Sequence, residues 1–442
     1  MDNARKIAVD ILQNIFDKGG YSNIVLNKNL SKADLENRDK GLVTEIVYGT
    51  IKYKYTIDKI LSKFLKNGLK KQDSFILNIL RITIYQIKYL EKIPQFAAVN
   101  EAVEITKKYK SLGSSKLVNG VLRNYLRSND SSYIKESHNI EALSFNYSFE
   151  PWMVKLLIKQ YGNVTAENIM DGLNKVPSIT LRINNIKTNY ENAVKELIAY
   201  GYEIEEDSVC PEAVRVIKGK SIENNPLFTS GMATVQDESA MLVAPAMSLG
   251  ENMTVLDLCS APGGKTTHIS EIMNNTGTVY AFDIYEDKLA LIMQNAKRLG
   301  ITNIKYNALD ATVYSSDLKD LGDRVLIDVP CSGLGIIRKK PEIKWTKNEA
   351  ELNNLIDIQR KIMTNAALYV KKGGYILYST CTLNKKENEE NIKWFLSKNK
   401  NFAMERIFFG NALNICYSDF GVTILPNEHM DGFFIAKLNK IE

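Results

Sequence analysis

Apolar residues between positions 4 and 126 recur at helical spacing, as Ile7, Ile11, Leu12 and Ile15 and again as Leu77, Leu80, Ile84 and Ile87. Strand-type alternation is nearly absent there. Gly19-Gly20, Lys66-Asn67-Gly68, Ile93-Pro94 and Leu112-Gly113 break the pattern into several short helices. An apolar stripe on a short helix must be covered by other helices, so residues 1–140 read as an all-α bundle, with the polar stretch 128–137 as its linker. After Pro151-Trp152, which opens a helix, the period changes. Residues 178–183 alternate, 190–200 are helical and 213–217 alternate again, which predicts a small α+β module over 145–235.

A third regime fills residues 236–442. Short apolar runs at 255–258, 279–282, 304–306, 324–327 and 375–378 alternate with amphipathic stretches at 266–273, 287–299, 348–370 and 387–397. That alternation predicts an α/β domain with a mostly parallel, doubly wound sheet. Three regimes in 442 residues agree with the size at which one core stops growing and chains divide into domains. There is no internal repeat and no low-complexity segment.

Charge distinguishes the regimes further. Residues 1–140 hold 24 Lys and Arg against 14 Asp and Glu, a balance of +10, while the remainder carries −4. A basic helical module suggests a polyanionic partner, since cations near phosphates gain affinity through counterion release. No stretch of bilayer-spanning length is free of charge, and residues 1–20 lack a small-residue cleavage site, so a cytoplasmic protein is expected. Five cysteines without a CxxC pair do not form a disulfide framework. His138, His268 and His429 lack ligand spacing, so no metal site is expected.

In open α/β sheets ligands sit beyond the carboxyl ends of strands. The first predicted strand runs into Asp257-Leu258-Cys259-Ser260-Ala261-Pro262-Gly263-Gly264-Lys265-Thr266, a small-residue loop that lets a ligand approach the backbone before a helix with free N–H donors. Gly264-Lys265-Thr266 mimics the end of a P-loop, but the required first glycine is Cys259. The GxGxxG fingerprint is also missing. A nucleoside ligand without a phosphate chain remains. Asp283 ends the second strand, some twenty residues past the glycines, where a carboxylate accepts both hydrogen bonds of a ribose diol. Asp310 follows the third, suited to an adenine amino group. The fourth and fifth strands end in Asp328-Val329-Pro330-Cys331-Ser332-Gly333 and Tyr378-Ser379-Thr380-Cys381-Thr382, so two cysteines converge on one face. Cys210 and Cys416 lie outside these ends and read as structural. Cys259 reads as a source of backbone contacts.

These words, with Arg38 to Val43, Glu45 to Thr50, Val118 to Arg123 and the closing Asp431-Gly432-Phe433-Phe434, resemble the bacterial ribosomal RNA cytosine-C5 methyltransferases that join a NusB-like domain to a methyltransferase domain. The resemblance covers almost the whole chain. It implies a Rossmann-like class I methyltransferase fold, a NusB-like RNA-binding domain over 1–140, an RRM-like module over 145–235, and S-adenosylmethionine as cofactor. Cys259, Ser260, Ala261, Pro262, Gly263, Gly264, Lys265, Asp283, Asp310 and Asp328 would form the cofactor site. The implied substrate is 16S ribosomal RNA with cytosine 967 as expected target, and the implied roles are attack on C6 by Cys381 and assistance in proton removal and product release by Cys331. A monomer is expected.

Cytosine C5 is a poor nucleophile, and adding a thiolate at C6 turns C5 into part of an enamine. A free thiol has a pKa of about 8.5, so lowering it needs positive charge nearby, for which Lys265 is a candidate. Asp328 is suited to the N3/N4 edge of the base. Pro330-Cys331 is also the word in which DNA cytosine-C5 methyltransferases carry their nucleophile, whereas the RNA-family context favours Cys381. A basic segment, Ile336 to Pro341, is the first candidate for phosphate contact. The reading from another class is a non-catalytic RNA-binding or antitermination-like module.

Overall fold

The computed structural model describes residues 3–128, 139–206 and 209–442, so nearly all of the linker read at 128–137, and His138, lie outside the described residues. Two compact units result, Met1–Asn174 with Ile337–Lys347, and Lys175–Ile336 with Asn348–Glu442.

The first unit is helical: α1 (Ala4–Lys18), α2 (Ser22–Leu30), α3 (Asn37–Lys52), α4 (Lys54–Ser62), α5 (Ser74–Tyr89), α6 (Gln95–Tyr109), α7 (Leu112–Arg127), α8 (Ile140–Tyr147), α9 (Pro151–Tyr161) and α10 (Asn163–Gly172). Asn3 starts α1 by accepting from the N–H groups of Arg5 and Lys6, both at 3.0 Å, and Gly19 ends it. α5 is apolar on most sides, with Ile79, Leu80, Ile82 and Ile84 fully buried, which fits a central helix surrounded by others. Its Arg81 grips Asp58 of α4 with two bonds of 2.7 and 2.8 Å. The contact boundary thus falls after Asn174, and residues 145–174 are helices of this unit.

The return of Ile337–Lys347 to this unit was not expected from the sequence, and of the basic residues in the segment 336–341, read as the first candidate for phosphate contact, it buries Arg338, leaves Lys339 half-buried and leaves Lys340 exposed. Ile337 and Arg338 are 1% and 2% exposed, and Pro341 through Lys344 are buried. The reason lies in α2, whose preceding residue Tyr21 offers no capping acceptor. Glu342 supplies one, accepting from Ser22 N at 3.1 Å and from Ser22 Oγ at 2.7 Å. Trp345 Nε1 donates to Ile51 O at 2.8 Å. The buried Lys344 ammonium donates to Lys52 O, Ser148 O and Asn174 Oδ1, at 3.1, 3.0 and 2.8 Å, and sits 3.8 Å from the centre of the Phe149 ring.

In the second unit, β1 (Ile179–Ile183), β2 (Glu203–Glu205), β3 (Ala213–Lys218) and β4 (Ala233–Val235) form an antiparallel sheet in the order β2-β3-β1-β4, accompanied by α11 (Tyr190–Ala199). The larger, nine-stranded sheet contains β5 (Thr254–Asp257), β6 (Thr278–Asp283), β7 (Ile304–Ala308), β8 (Gly322–Asp328), β9 (Val370–Thr380), β10 (Phe402–Glu405), β11 (Ile415–Ser418), β12 (Gly421–Ile424) and β13 (Phe433–Lys440). Its order is β11-β12-β13-β9-β8-β5-β6-β7, with β10 beside β13. Strands β5 to β9 pair in parallel, as alternation with α12 (Gly264–Ile272), α13 (Glu286–Leu299) and α14 (Glu349–Tyr369) requires. The last helix, α15 (Glu389–Lys398), follows β9, and β13 adds antiparallel to it. The fold is therefore the α/β, Rossmann-like arrangement expected. The order reverses at β5, which has β8 on one side and β6 on the other, so a ligand crevice belongs at the end of β5.

Glu342→Ala should leave both Ser22 donors without their acceptor and cost about 1–2 kcal/mol, the range of a lost helix cap. Faster hydrogen exchange of the first-turn amides of α2 is the direct readout. Glu342→Gln, which keeps an acceptor, should lose less.

Candidate active site

The turn after β5 is shaped by contacts with its neighbours. Ser260 donates from both N and Oγ to Phe282 O in β6, each at 2.8 Å, and Asn295 Nδ2 donates to Pro262 O at 3.2 Å. Gly263 has φ of +99°, and a Cβ there would come within 2.8 Å of the Ile292 side chain, so the sharp entry into α12 requires glycine. No side chain caps α12, and its first N–H groups face the strand ends.

A cavity of about 410 Å³ opens at the ends of four strands. Cys259 lines it after β5, Asp283 and Tyr285 after β6, Asp310 and Thr312 after β7, and Pro330 after β8, with Ile358 and Ile362 of α14 as an apolar wall. Its size and its lining of apolar wall and few convergent carboxylates suit a nucleoside. Asp283 is oriented by the N–H groups of Ala261 and Tyr285, at 3.3 and 3.1 Å. Asp310 accepts from Thr312 Oγ1 at 2.7 Å and Thr312 N at 2.9 Å, and these bonds hold its carboxyl below the usual range. Burial pushes the Cys259 thiol well up, helped by the charges of Asp257, Asp328, Asp283 and Asp310, which keeps it protonated. A larger hollow of about 760 Å³ beside β10, β11 and β12 lacks such a cluster of carboxylates and thiols.

Ser260, Ala261, Pro262, Gly263 and Gly264 shape the turn without lining this cavity, and Lys265 and Asp328 form a second group beside it. Lys265 Nζ donates to Asp328 Oδ2 at 2.7 Å and lies 5.1 Å from the Phe433 ring centre. Burial opposes the charge on Lys265, but Asp328, with Cys381 and Asp257, outweighs it and raises the amine above its ordinary value. The other oxygen of Asp328 accepts from Ser379 Oγ at 2.7 Å, joining the ends of β8 and β9. Cys331 Sγ and Cys381 Sγ meet at 3.2 Å. The hydrogen bond to Cys381, then burial, then the negative charges of Cys381, Glu387 and Asp328 push the Cys331 thiol well above its ordinary value. Gly335 N donates to Cys381 O at 3.0 Å, and Gly432 N to Gly335 O at 2.9 Å. A Cβ on Gly335 would lie 2.0 Å from Gly432 O, so the closing Asp431-Gly432 word is a backbone contact that fixes the Cys381 turn.

One functional neighbour escaped the sequence reading. Arg182 in β1 is fully buried and donates to Glu271 Oε1 and Oε2 at 2.8 and 3.0 Å, to Thr267 Oγ1 at 3.1 Å and to Gly264 O at 2.7 Å, with Gln236 Oε1 a further partner. It thereby ties the small antiparallel sheet to the first turn of α12. The only signal was an arginine inside the apolar run Leu181-Arg182-Ile183.

Residues 244–439 match the family described as 16S rRNA methyltransferase RsmB/F, residues 2–127 the NusB family, and residues 149–223 the RsmF/B-like ferredoxin-like domain. The probable ribosomal RNA small subunit methyltransferase B of Bacillus subtilis is 37% identical over 99% of both chains. This chain belongs to the RsmB/F family of 16S rRNA methyltransferases. Another member, ribosomal RNA small subunit methyltransferase B of Proteus mirabilis, is 31% identical over 99% of both chains. Among solved structures, the crystal structure of PH0851 superposes with a TM-score of 0.84 at 26% identity, covering 100% of this chain and 99% of its own. NSun6 from Pyrococcus horikoshii, solved with SFG, shares the fold over 67% of this chain and 99% of its own, with a TM-score of 0.59 at 23% identity. The RsmB/F-family enzyme acts on ribosomal RNA with S-adenosylmethionine as cofactor, as the family resemblance implied. Among the described residues, no helix is long and apolar enough to cross a membrane.

In this RsmB/F-family enzyme Asp257 gives a test of the site's electrostatics. Burial, opposed by a 2.7 Å hydrogen bond from Thr266 Oγ1, raises its carboxyl from 3.8 to about 7, and Oδ1 has no hydrogen-bond partner among the described residues. Between those values the folded state holds a proton that the unfolded state has released, so this group's contribution to stability falls as pH rises from about 4 through about 7. Asp257→Asn does not titrate. Its stability relative to the unsubstituted enzyme should therefore rise between about pH 5 and about pH 8, by on the order of 2 kcal/mol, as read from paired denaturation curves.

Proposed function

We propose that this methyltransferase modifies C5 of a cytosine in 16S ribosomal RNA, with cytosine 967 as the target that the family resemblance suggests, through a covalent bond between Cys381 and C6. The observation that carries the proposal is the 3.2 Å contact of two thiols at neighbouring strand ends, one residue from the wall of the nucleoside-sized cavity. Methylation at a nitrogen or a ribose oxygen has no use for such a pair, whereas a carbon nucleophile on a pyrimidine needs one thiol to add and a base to take the C5 proton.

In this scheme Cys381 gives its proton to solvent water and forms the S–C6 bond, and the electrons of the C5=C6 bond become available at C5. Lys265, electrostatically coupled to Cys381, supports the thiolate, and Cys331 donates its S–H toward it. The cofactor supplies an electrophilic methyl group on a sulfonium. Carbon C5 would take that methyl, the C5 proton would pass to solvent water, and the S–C6 bond would break to restore the C5=C6 bond, its electron pair leaving with the Cys381 sulfur. Cys331, which keeps its own proton, is assigned to assist this removal and the release by donating its S–H to the departing Cys381 sulfur. Asp283 would hold the ribose diol of the cofactor, Asp310 its adenine amino group, and the turn Cys259-Ser260-Ala261-Pro262-Gly263-Gly264 its backbone-facing edge. Asp328 would meet the N3/N4 edge of the base. A stacked base cannot reach thiols held in this way, so the target is single-stranded or extruded.

The deciding experiment combines methyl-labelled cofactor with unmodified 16S RNA, free and in subunits, followed by nucleoside analysis. Label in 5-methylcytidine at one site is expected, and label in any other nucleoside would refute the carbon reading. With the same RNA, Cys331→Ser should accumulate an RNA-linked protein band that Cys381→Ala does not form. The reverse pattern would move the nucleophile to the Pro330-Cys331 word.

A further inference from the structure

A buried polar network lies behind the two cysteines, and its centre is a residue with no role in the scheme above. Glu387, in the turn before α15, is fully buried. Its Oε1 accepts from Ser332 Oγ at 2.5 Å and Asn384 Nδ2 at 3.0 Å, and its Oε2 from Ser332 N and Gln359 Nε2, both at 2.9 Å. All four donors are neutral. A carboxylate held in this way keeps its hydrogen bonds but has its charge left unpaired by these contacts, an expensive arrangement to bury.

The network brackets both thiols. Cys331 lies between Pro330, whose carbonyl accepts from Gln359 Nε2 at 3.0 Å, and Ser332, held by Glu387. Cys381 lies between Thr380 and Thr382, and Asn388 binds both: Thr380 Oγ1 donates to Asn388 Oδ1 at 2.7 Å, and Asn388 Nδ2 donates to Thr382 O at 2.9 Å. The two halves meet where the hydroxyls of Ser332 and Thr382 lie 2.7 Å apart. The residue following each cysteine is thus tied to the residue following the other.

We infer that Glu387 is a positioning residue that holds the Cys331 and Cys381 turns in contact and makes the two thiols chemically unequal, an inference that rests on the thiol-addition reading above. Geometry supplies the first half of it. The second half follows from charge, since the Glu387 carboxylate is among the groups that hold the Cys331 thiol well above its ordinary value, after its hydrogen bond to Cys381 and burial. A hydrocarbon or amide at position 387 would fill the same space without that charge. The unpaired carboxylate thus adds to the hydrogen bond and to burial in keeping the proton on Cys331, and so favours Cys381 as the thiol that reacts.

The test measures alkylation of each cysteine by iodoacetamide as a function of pH, with peptide mapping and no RNA, in the full-length enzyme and in Glu387→Gln. Removing the charge should shift Cys331 labelling to lower pH and raise the Cys331 to Cys381 labelling ratio by about tenfold near neutrality, the change expected from one unit in thiol acidity. Methyl transfer should fall in kcat while KM for the cofactor stays unchanged. Ser332→Ala, which cuts the hydroxyl's two ties, to Glu387 and to Thr382, and keeps the charge, is the second variant. It should lower kcat without moving the pH of Cys331 labelling. An unchanged labelling ratio in a folded Glu387→Gln protein overturns the inference, and so does a Ser332→Ala protein whose Cys331 labelling shifts as far. Because labelling needs no turnover, these outcomes are independent of the adduct experiment, which alone decides whether Cys381 is the nucleophile.

Discussion

The register of β8 against β9 is the constraint on which the active site depends. Asp328 pairs with Ser379 across that parallel ladder, so the two strands end level and their turns leave the sheet at the same edge. Three residues on from Asp328 and two on from Ser379 stand the cysteines, whose sulfurs lie 3.2 Å apart. A slip of one residue would turn every side chain of β9 to the opposite face. Asp328 reinforces the register chemically by taking Ser379 Oγ on one oxygen and Lys265, from the first turn of α12, on the other. One carboxylate therefore ties the ends of β8 and β9 to the start of α12, beside the thiol pair.

The same carboxylate belongs to an unusually acidic neighbourhood. Asp257, Asp283, Asp310 and Asp328 all act on Cys259, and among the groups acting on Lys265 burial opposes its charge while Asp328, Cys381 and Asp257 favour it. Burial and carboxylates both push thiols toward their protonated form, so the site does not create a thiolate by brute electrostatics. It creates a difference instead. Lys265 is coupled to Cys381, while Cys331 faces Glu387 and the sulfur of its partner. A pair made unequal in this way can divide addition from proton handling, whereas two equivalent thiols would compete. The acidic surroundings also suit a cationic methyl donor, which gains where a neutral or anionic cofactor would lose.

How much of this was readable from sequence depends on whether the cause was local. Strands β5 to β9 and their helices are short apolar runs and amphipathic stretches in strict alternation, and they formed where the periodicity put them. The convergence of Asp283, Asp310 and the two cysteines at strand ends followed from topology alone. β10, β11, β12 and β13 were not read: the first three are only four residues long and β11 is mostly exposed, while β13, eight residues long, is buried at its first six positions and so lacks the alternation that marks a strand. Arg182 and Glu387 were invisible for a different reason. Their roles come from partners 54 to 89 positions away for Arg182 and from partners 28 and 55 positions away for Glu387, and nothing in the composition around either marks a buried charge. Arg338 is a similar case, buried by packing that no neighbouring residue announces, while Lys340 two positions on stays exposed.

That segment also changes what the helical unit is. A chain that ended the bundle at α7 would leave Thr56 Oγ1 without Phe145 O, its acceptor at 2.6 Å, and Ser22 without Glu342. Each is a buried donor, and a buried donor without a partner costs about 1–3 kcal/mol, comparable with the difference between a stable small bundle and a marginal one. Covering α2 and α4 therefore requires α8 and a stretch of chain that begins six residues after Cys331. The sequence order of the domains is not the order in which their cores are completed: the first unit is finished by residues that the chain reaches only after it has built β8 and the Cys331 turn. Any substitution between Ile337 and Lys347 accordingly acts on the helical core, even though by sequence it lies in the middle of the methyltransferase domain.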